Sequence, residues 1–213
     1  MSFCSAILYS ELVVVVKDSQ PRSLRAEQAD LKRQRIVEAA SRLFAAHGFQ
    51  ATTMAAVARE ARVAIQTLYS AFASKRDLAV AVADRAIIVS DVRRLSAELE
   101  AERPPAEQLR IAAAIQRRAS EALADYFDLF SGPDAGFIRD TDLSIKGPSI
   151  RRVIEQFARG GKLRPGLDQQ RAGDIAIAMA SFDIYRVLVR HFGWTPEAYE
   201  EWQAQHWARE LLG

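Results

Sequence analysis

The sequence predicts an all-α protein with an N-terminal three-helix helix-turn-helix domain, followed by a larger helical domain. Two general observations point to the class. Helix-favouring Ala, Leu, Arg, Gln and Glu dominate, while only 10 Gly and 7 Pro occur in 213 residues. Apolar residues recur at helical spacing in segment after segment, and no sustained strand alternation occurs beyond the first twenty residues. The third observation is local. Two short helical stretches, joined by a tight turn, lie in the more basic first third of the chain.

Hydrophobic residues make up 49% and charged residues 26%, the balance of a globular chain. The formal net charge is only +2, but it is unevenly placed. Between Arg22 and Leu78 ten Lys and Arg face five Asp and Glu. Such an excess supplies phosphate attraction, or simply a solvated basic surface. Cys4 is the single cysteine, which excludes an intrachain disulfide and a cysteine metal cluster and fits a reducing, cytoplasmic setting.

Residues 1–25 read as an N-terminal extension, with a short apolar run Leu12–Val16 that lacks the basic start of a secretory signal. Asp30 to His47 is the first firm helix: Ile36, Ala39, Ala40, Leu43 and Phe44 form one stripe and Gly48 stops it. Thr52 or Thr53 caps a short helix through about Ala61, with Met54, Val57 and Ala58 inward. Arg62-Val63 turns the chain into a second short helix, Ala64 to Phe72, with Leu68 and Phe72 inward. Ser74, with Asp77 three residues on, caps a helix expected to run to about Glu100. Residues 26–78 are thus the expected helix-turn-helix domain and 79–213 the expected second domain.

Pro104-Pro105 breaks the chain before a helix expected over Ala106–Phe130. A loop follows over Ser131–Gly136, then an ambiguous stretch from Phe137 to Gly147, then a helix starting at Pro148-Ser149. Asp168 caps a long helix expected to reach His191, and Gly193 closes it. Thr195-Pro196-Glu197 opens the last helix, with its cap, Pro and acid in the favoured order.

A second helix that exposes small polar residues fits the major groove and reads base edges with its first turns. Here those residues are Ala64, Ile65, Gln66 and Thr67. Gln grips adenine through two hydrogen bonds, and Ile65 or the Thr67 methyl suits a thymine methyl. The Tyr69 hydroxyl can swing to a phosphate, and Lys75 with Thr52 and Thr53 can hold the backbone from either end. A plain helical hairpin inside a bundle would show the same pattern.

The run Thr52–Leu78 resembles the DNA-binding domain of the tetracycline-repressor (TetR) family, and Ile36-Val37-Glu38-Ala39-Ala40, Leu43-Phe44 and Gly48-Phe49 resemble its first helix. The resemblance implies that Thr53, Tyr69 and Lys75 hold phosphates, that positions 64–67 read bases, and that Met54 adds a base contact. Three residues depart from the family pattern. Arg62 stands where Gly is usual, Ala64 replaces a Ser-like cap, and Ala71 stands where many members have a phosphate-touching His.

The resemblance further implies an operator-DNA partner, a small-molecule effector and a homodimer built from the last two long helices, commonly as a repressor. Two apolar stripes on the long helix agree with it, a deeply buried helix in a monomer being the alternative: Ile175, Ala178, Met179 and Phe182, and Ile177, Ile184 and Leu188. Ile177, Ile184, Leu188 and Trp202 are the candidate dimer contacts. Tyr126, Phe127, Phe130 and Phe137 are the candidate effector pocket, ordinary core packing being the alternative. No enzyme is expected, since no spaced His metal motif, Gly-rich phosphate loop or nucleophile motif is present, and no cofactor or metal is called for. A regulator answering to a protein partner and a structural helical bundle are the rival functions.

Overall fold

The computed structural model describes residues 24–88, 90–101, 103–126 and 135–213; for 93, 100 and 135–145 it describes the backbone alone. The all-α expectation holds among these residues, whose only strand-like pairing is an isolated bridge between Leu163 and Leu212. The helices are α1 (Leu24–Ala51), α2 (Met54–Glu60), α3 (Ile65–Ala71), α4 (Lys75–Ile88) and α5 (Val92–Glu100). They continue with α6 (Pro105–Ala122), α7 (Ala135–Arg159), α8 (Gln169–Met179), α9 (Phe182–Tyr185) and α10 (Pro196–Leu211). The described residues divide into two compact units, one within 1–85 and 125–145 and the other within 86–124 and 146–213.

In the first unit α1 starts at Leu24, six residues before the expected Asp30, so Leu24 and Arg25 belong to the helix. Gly48 ends its regular part with φ 78°, a conformation that favours glycine, and swings Phe49 back against Phe44. The predicted stripe is buried at Ile36, Ala39, Ala40 and Phe44. Met54, Val57 and Ala58 of α2 and Leu68 of α3 complete the core with Phe72, Leu78, Ala79 and Val82. The basic residues of α1 help to close it. Arg33 Nη1 donates to the Ala71 carbonyl (2.6 Å) with its guanidinium 4.0 Å over the Phe72 ring. Arg35 Nη2 donates to the Ala61 carbonyl (3.0 Å). Each cation thus satisfies a carbonyl at the C-terminal end of a short helix, where the helix dipole also favours positive charge.

In the second unit Leu109 and Ala113 of α6, Ile154 and Phe157 of α7, Ala172, Ala176 and Ala180, and Ala204, Trp207 and Leu211 of α10 form one cluster. The small stripe on α8 is the buried one, while Ile175, Ile177 and Met179 stay half-buried and Ala178 is exposed. Small residues let helices approach closely, and Gly173 illustrates the limit: a Cβ there would lie 2.7 Å from Arg151 Nη1.

Four expected elements are corrected. The helix from Ser74 stops at Ile88 instead of continuing to Glu100. There Ser90 turns back onto the Ile87 carbonyl, through its backbone N–H (3.1 Å) and through Oγ (2.6 Å), before α5 begins. The helix after Pro104-Pro105 ends at Ala122, not Phe130. Pro148 does not start a helix but lies inside α7, whose second half is held by the buried Ile154 and Phe157. Packing of this kind outweighs the lost backbone bond.

The long helix expected from Asp168 to His191 is broken at Ala180-Ser181. Gln203 Nε2 donates to the Met179 carbonyl (3.3 Å), and the Lys146 ammonium donates to that of Ala180. Ser181 Oγ then caps α9 by accepting from Asp183 N–H (3.2 Å). Arg186–His191 continues as a π-helix, none of whose residues is buried. The predicted caps are present at Ser74, where Oγ accepts from Asp77 N–H, at Asp168, which accepts from Arg171 N–H, and at Thr195, which accepts from Ala198 N–H.

Candidate nucleic-acid interface

Helices α2 and α3 are seven residues each, too short to persist without tertiary support. Thr53 caps α2, its Oγ1 accepting from Ala56 N–H (3.1 Å). The turn is closed by two reverse bonds, Arg62 N–H to the Arg59 carbonyl (3.1 Å) and Val63 N–H to that of Ala58 (3.0 Å). This pair is the Schellman motif, and it requires a left-handed residue just past the helix end. That residue is Arg62, with φ 54°, the only non-glycine with positive φ among the described residues. The left-handed conformation costs a residue bearing a Cβ about 1 kcal/mol. Arg62→Gly is therefore expected to stabilise the domain by about 1 kcal/mol in urea denaturation. A destabilised variant would show that the arginine side chain contributes more than its backbone costs.

Ala64 occupies the N-cap of α3 and makes no side-chain cap bond, as its identity implies. Leu68 anchors the helix in the core, which turns Gln66, Tyr69 and Ser70 to the surface; Tyr69 is 52% exposed. Ala64 and Thr53 are also exposed, and Ile65 and Thr67 are half-buried. Ser70 is a surface residue that the sequence reading misses. Its spacing of four from Gln66 places it on the same face, and its Oγ donates to the Gln66 carbonyl (2.8 Å).

Three candidates face inward. Thr52 is buried, its hydroxyl directed at the Gly48 carbonyl (2.8 Å). Met54 is buried in the core. The Lys75 ammonium donates to the carbonyls of Phe49 (2.9 Å) and Thr52 (3.1 Å), reaches that of Gln50 (3.4 Å), and lies 4.3 Å from the centre of the Phe49 ring.

Residues 36–82 match the family model described as bacterial regulatory proteins, tetR family. This segment is a tetR-family domain. Solved structures extend the likeness in fold beyond it. The fatty acid degradation regulator FadR from Bacillus halodurans superposes with a TM-score of 0.63 at 17% identity, over 89% of this chain and 95% of that one. The SmeT–triclosan complex gives 0.65 at 15% identity, over 86% and 92%. AibR in complex with isovaleryl coenzyme A and operator DNA gives 0.57 at 17%, over 82% and 97%. No curated protein matches the chain. The tetR domain thus contains the whole α2–α3 pair, including the outward Gln66, Tyr69 and Ser70 face, and all three inward candidates.

Of the pocket candidates, Tyr126 lies in the first unit, its hydroxyl 2.7 Å from Ser41 Oγ. Phe127 and Phe130 lie outside the described residues, and of Phe137 only the backbone, in α7, is described. Ile177 sits on α8 and Ile184 on α9, either side of the break, with Leu188 in the π-helix; all three are half-buried. Trp202 is half-buried too, stacked on His206 (centroids 5.0 Å apart) and edge-on to Trp194 (6.1 Å). No helix among the described residues is long and apolar enough to cross a membrane.

Proposed function

We propose that this chain is a sequence-specific DNA-binding regulator in which α3 enters the major groove. The observation that carries the reading is the outward polar face of a buried-anchored second helix inside a tetR domain. Gln66 reads adenine, and Ile65, Thr67 and Ala64 supply apolar contact to thymine methyls. Tyr69 and Thr53 hold phosphates. Lys75, Thr52 and Met54 complete the set from the rear, fixing the end of α1 and the start of α2 against the core.

The regulator acts as a homodimer on a palindromic operator, with Ile177, Ile184, Leu188 and Trp202 at the twin's surface. The exposed Val187, Phe192 and Trp194 beside them support that assignment. A small-molecule effector taken up near Tyr126, Phe127, Phe130 and Phe137 releases the DNA, making the protein a repressor. The likeness in fold to SmeT, solved with triclosan, and to AibR, solved with isovaleryl coenzyme A and operator DNA, supports a small-molecule effector.

Selection of duplexes from a random pool, followed by fluorescence anisotropy on the winner and a scrambled control, tests the reading. Selective binding is expected. Gln66→Ala should lose about 1–3 kcal/mol of discrimination at one base step, and Tyr69→Phe should weaken all duplexes alike. Failure of every duplex to bind at low salt would overturn it.

A further inference from the structure

The turn between α2 and α3 borders a depression of about 370 Å³ whose walls are charged. Arg35 and Arg42 line it from α1, two helical turns apart, and Arg59 and Arg62 from the end of α2 and the turn. The two acids in its wall are already matched. Glu60 takes Arg42 (Nη2–Oε1 2.9 Å, Nε–Oε1 3.2 Å), and Glu38 takes Arg85 (2.8 Å). Among the described residues Arg35 commits one nitrogen to the Ala61 carbonyl and keeps its other donors. Arg59 and Arg62 are exposed and carry no ion pair among the described residues. Three positive charges therefore remain uncompensated around one concave site.

Guanidinium forks suit phosphate oxygens geometrically as well as electrically. Arg62 is three residues before Ile65, where α3 begins. A helix laid in the major groove brings its first turn close to the groove wall, which is sugar and phosphate. The strained backbone at Arg62 adds a separate indication, because the left-handed position would fold better with glycine and yet holds a cation.

We propose that Arg35, Arg59 and Arg62 form a phosphate clamp that grips the DNA backbone beside the groove entered by α3. The inference rests on the DNA-binding reading above and adds to it a contact surface outside the reading helix. Its signature is a uniform loss of affinity with no change in base preference.

Full-length protein is titrated against the selected and scrambled duplexes over a range of salt concentrations, as wild type, Arg59→Gln and Arg62→Gly. Each variant is expected to bind both duplexes about 3–10-fold more weakly, and to lower the slope of log affinity against log salt by about 0.9 for each phosphate no longer neutralised. Arg62→Gly relieves backbone strain, so weakened binding cannot be assigned to unfolding if its urea midpoint is unchanged or raised. Wild-type affinity and slope in both variants would overturn the clamp and leave the regulator reading intact. Loss of selectivity between duplexes would also overturn it, assigning base contact instead. No duplex binding by the wild type would remove both readings. Thermal melting with inorganic tripolyphosphate supplies the last arm. A rise in midpoint that disappears in both variants, with DNA binding unaffected, would overturn the clamp by assigning the depression to a free polyphosphate.

Discussion

Lys75→Met is expected to destabilise the N-terminal unit by about 2–4 kcal/mol. The ammonium is hydrogen-bonded to the Phe49 and Thr52 carbonyls, reaches that of Gln50, and rests against the Phe49 ring. Hydrogen bonds to a charged group contribute about 1.5–3 kcal/mol, and a partly desolvated cation on an aromatic face adds about 0.5–2. Methionine matches the stem but removes the charged donor those carbonyls share at the end of α1 and the entry to α2, while the Phe49 carbonyl keeps the Thr52 N–H (3.3 Å). Urea denaturation measures the effect, read from the midpoint at constant slope. A change below about 0.5 kcal/mol would mean that the lysine is held by nothing in the free protein and serves DNA alone. The two roles are separable because the stability measurement contains no DNA.

Asp84→Asn is expected to act in the opposite direction and only above mildly acidic pH. Burial raises the Asp84 carboxyl from 3.8 to about 6, and the charge of Arg33 opposes that shift only in part. The folded state therefore holds a proton that the unfolded state releases, between about pH 4 and 6. Stability falls as pH rises through that window and is flat above it. The full difference corresponds to roughly 3 kcal/mol, an upper bound because the residue keeps some contact with water. The asparagine variant should exceed wild type by about 1–3 kcal/mol at pH 8 and match it near pH 4. A gap between the two proteins that does not vary with pH would show that ionisation of Asp84 is not its cause.

Much of the first unit was legible because its signals are local. Gly48, Thr53, Ser74 and the spacing of Ile36 to Phe44 act within a few residues of where they stand. Arg62 stood out only through the family resemblance, as a residue where glycine is usual, and its positive φ is what the α2–α3 turn imposes. What escaped the sequence depends on partners far along the chain. The apolar pattern runs without interruption through Ala180-Ser181, with no Gly or Pro to mark a break, because the two freed carbonyls are satisfied by Lys146 and Gln203. Pro148 misled for the converse reason: a strong local breaker was overruled by the packing of Ile154 and Phe157. Lys75 was legible as a cation but not as a buttress, since its acceptors lie 23 to 26 residues earlier. Tyr126 could be recognised as an aromatic beside an irregular stretch, but nothing nearby in sequence announces Ser41 as its partner.

The carbonyl-bound cations of the first unit have an effect at a distance. A carbonyl oxygen carries no net charge, so Arg35 and Lys75 keep their full charge while they hold helix ends together, and Arg33 does so until Asp84 ionises at about pH 6. They contribute to the field that draws a polyanion toward the domain even where they never touch it. That field reaches about 10 Å at 0.1 M salt and shortens as salt rises. The same three side chains that hold the small domain closed thus also set how fast it meets a negatively charged partner, so a substitution among them alters capture rate together with stability.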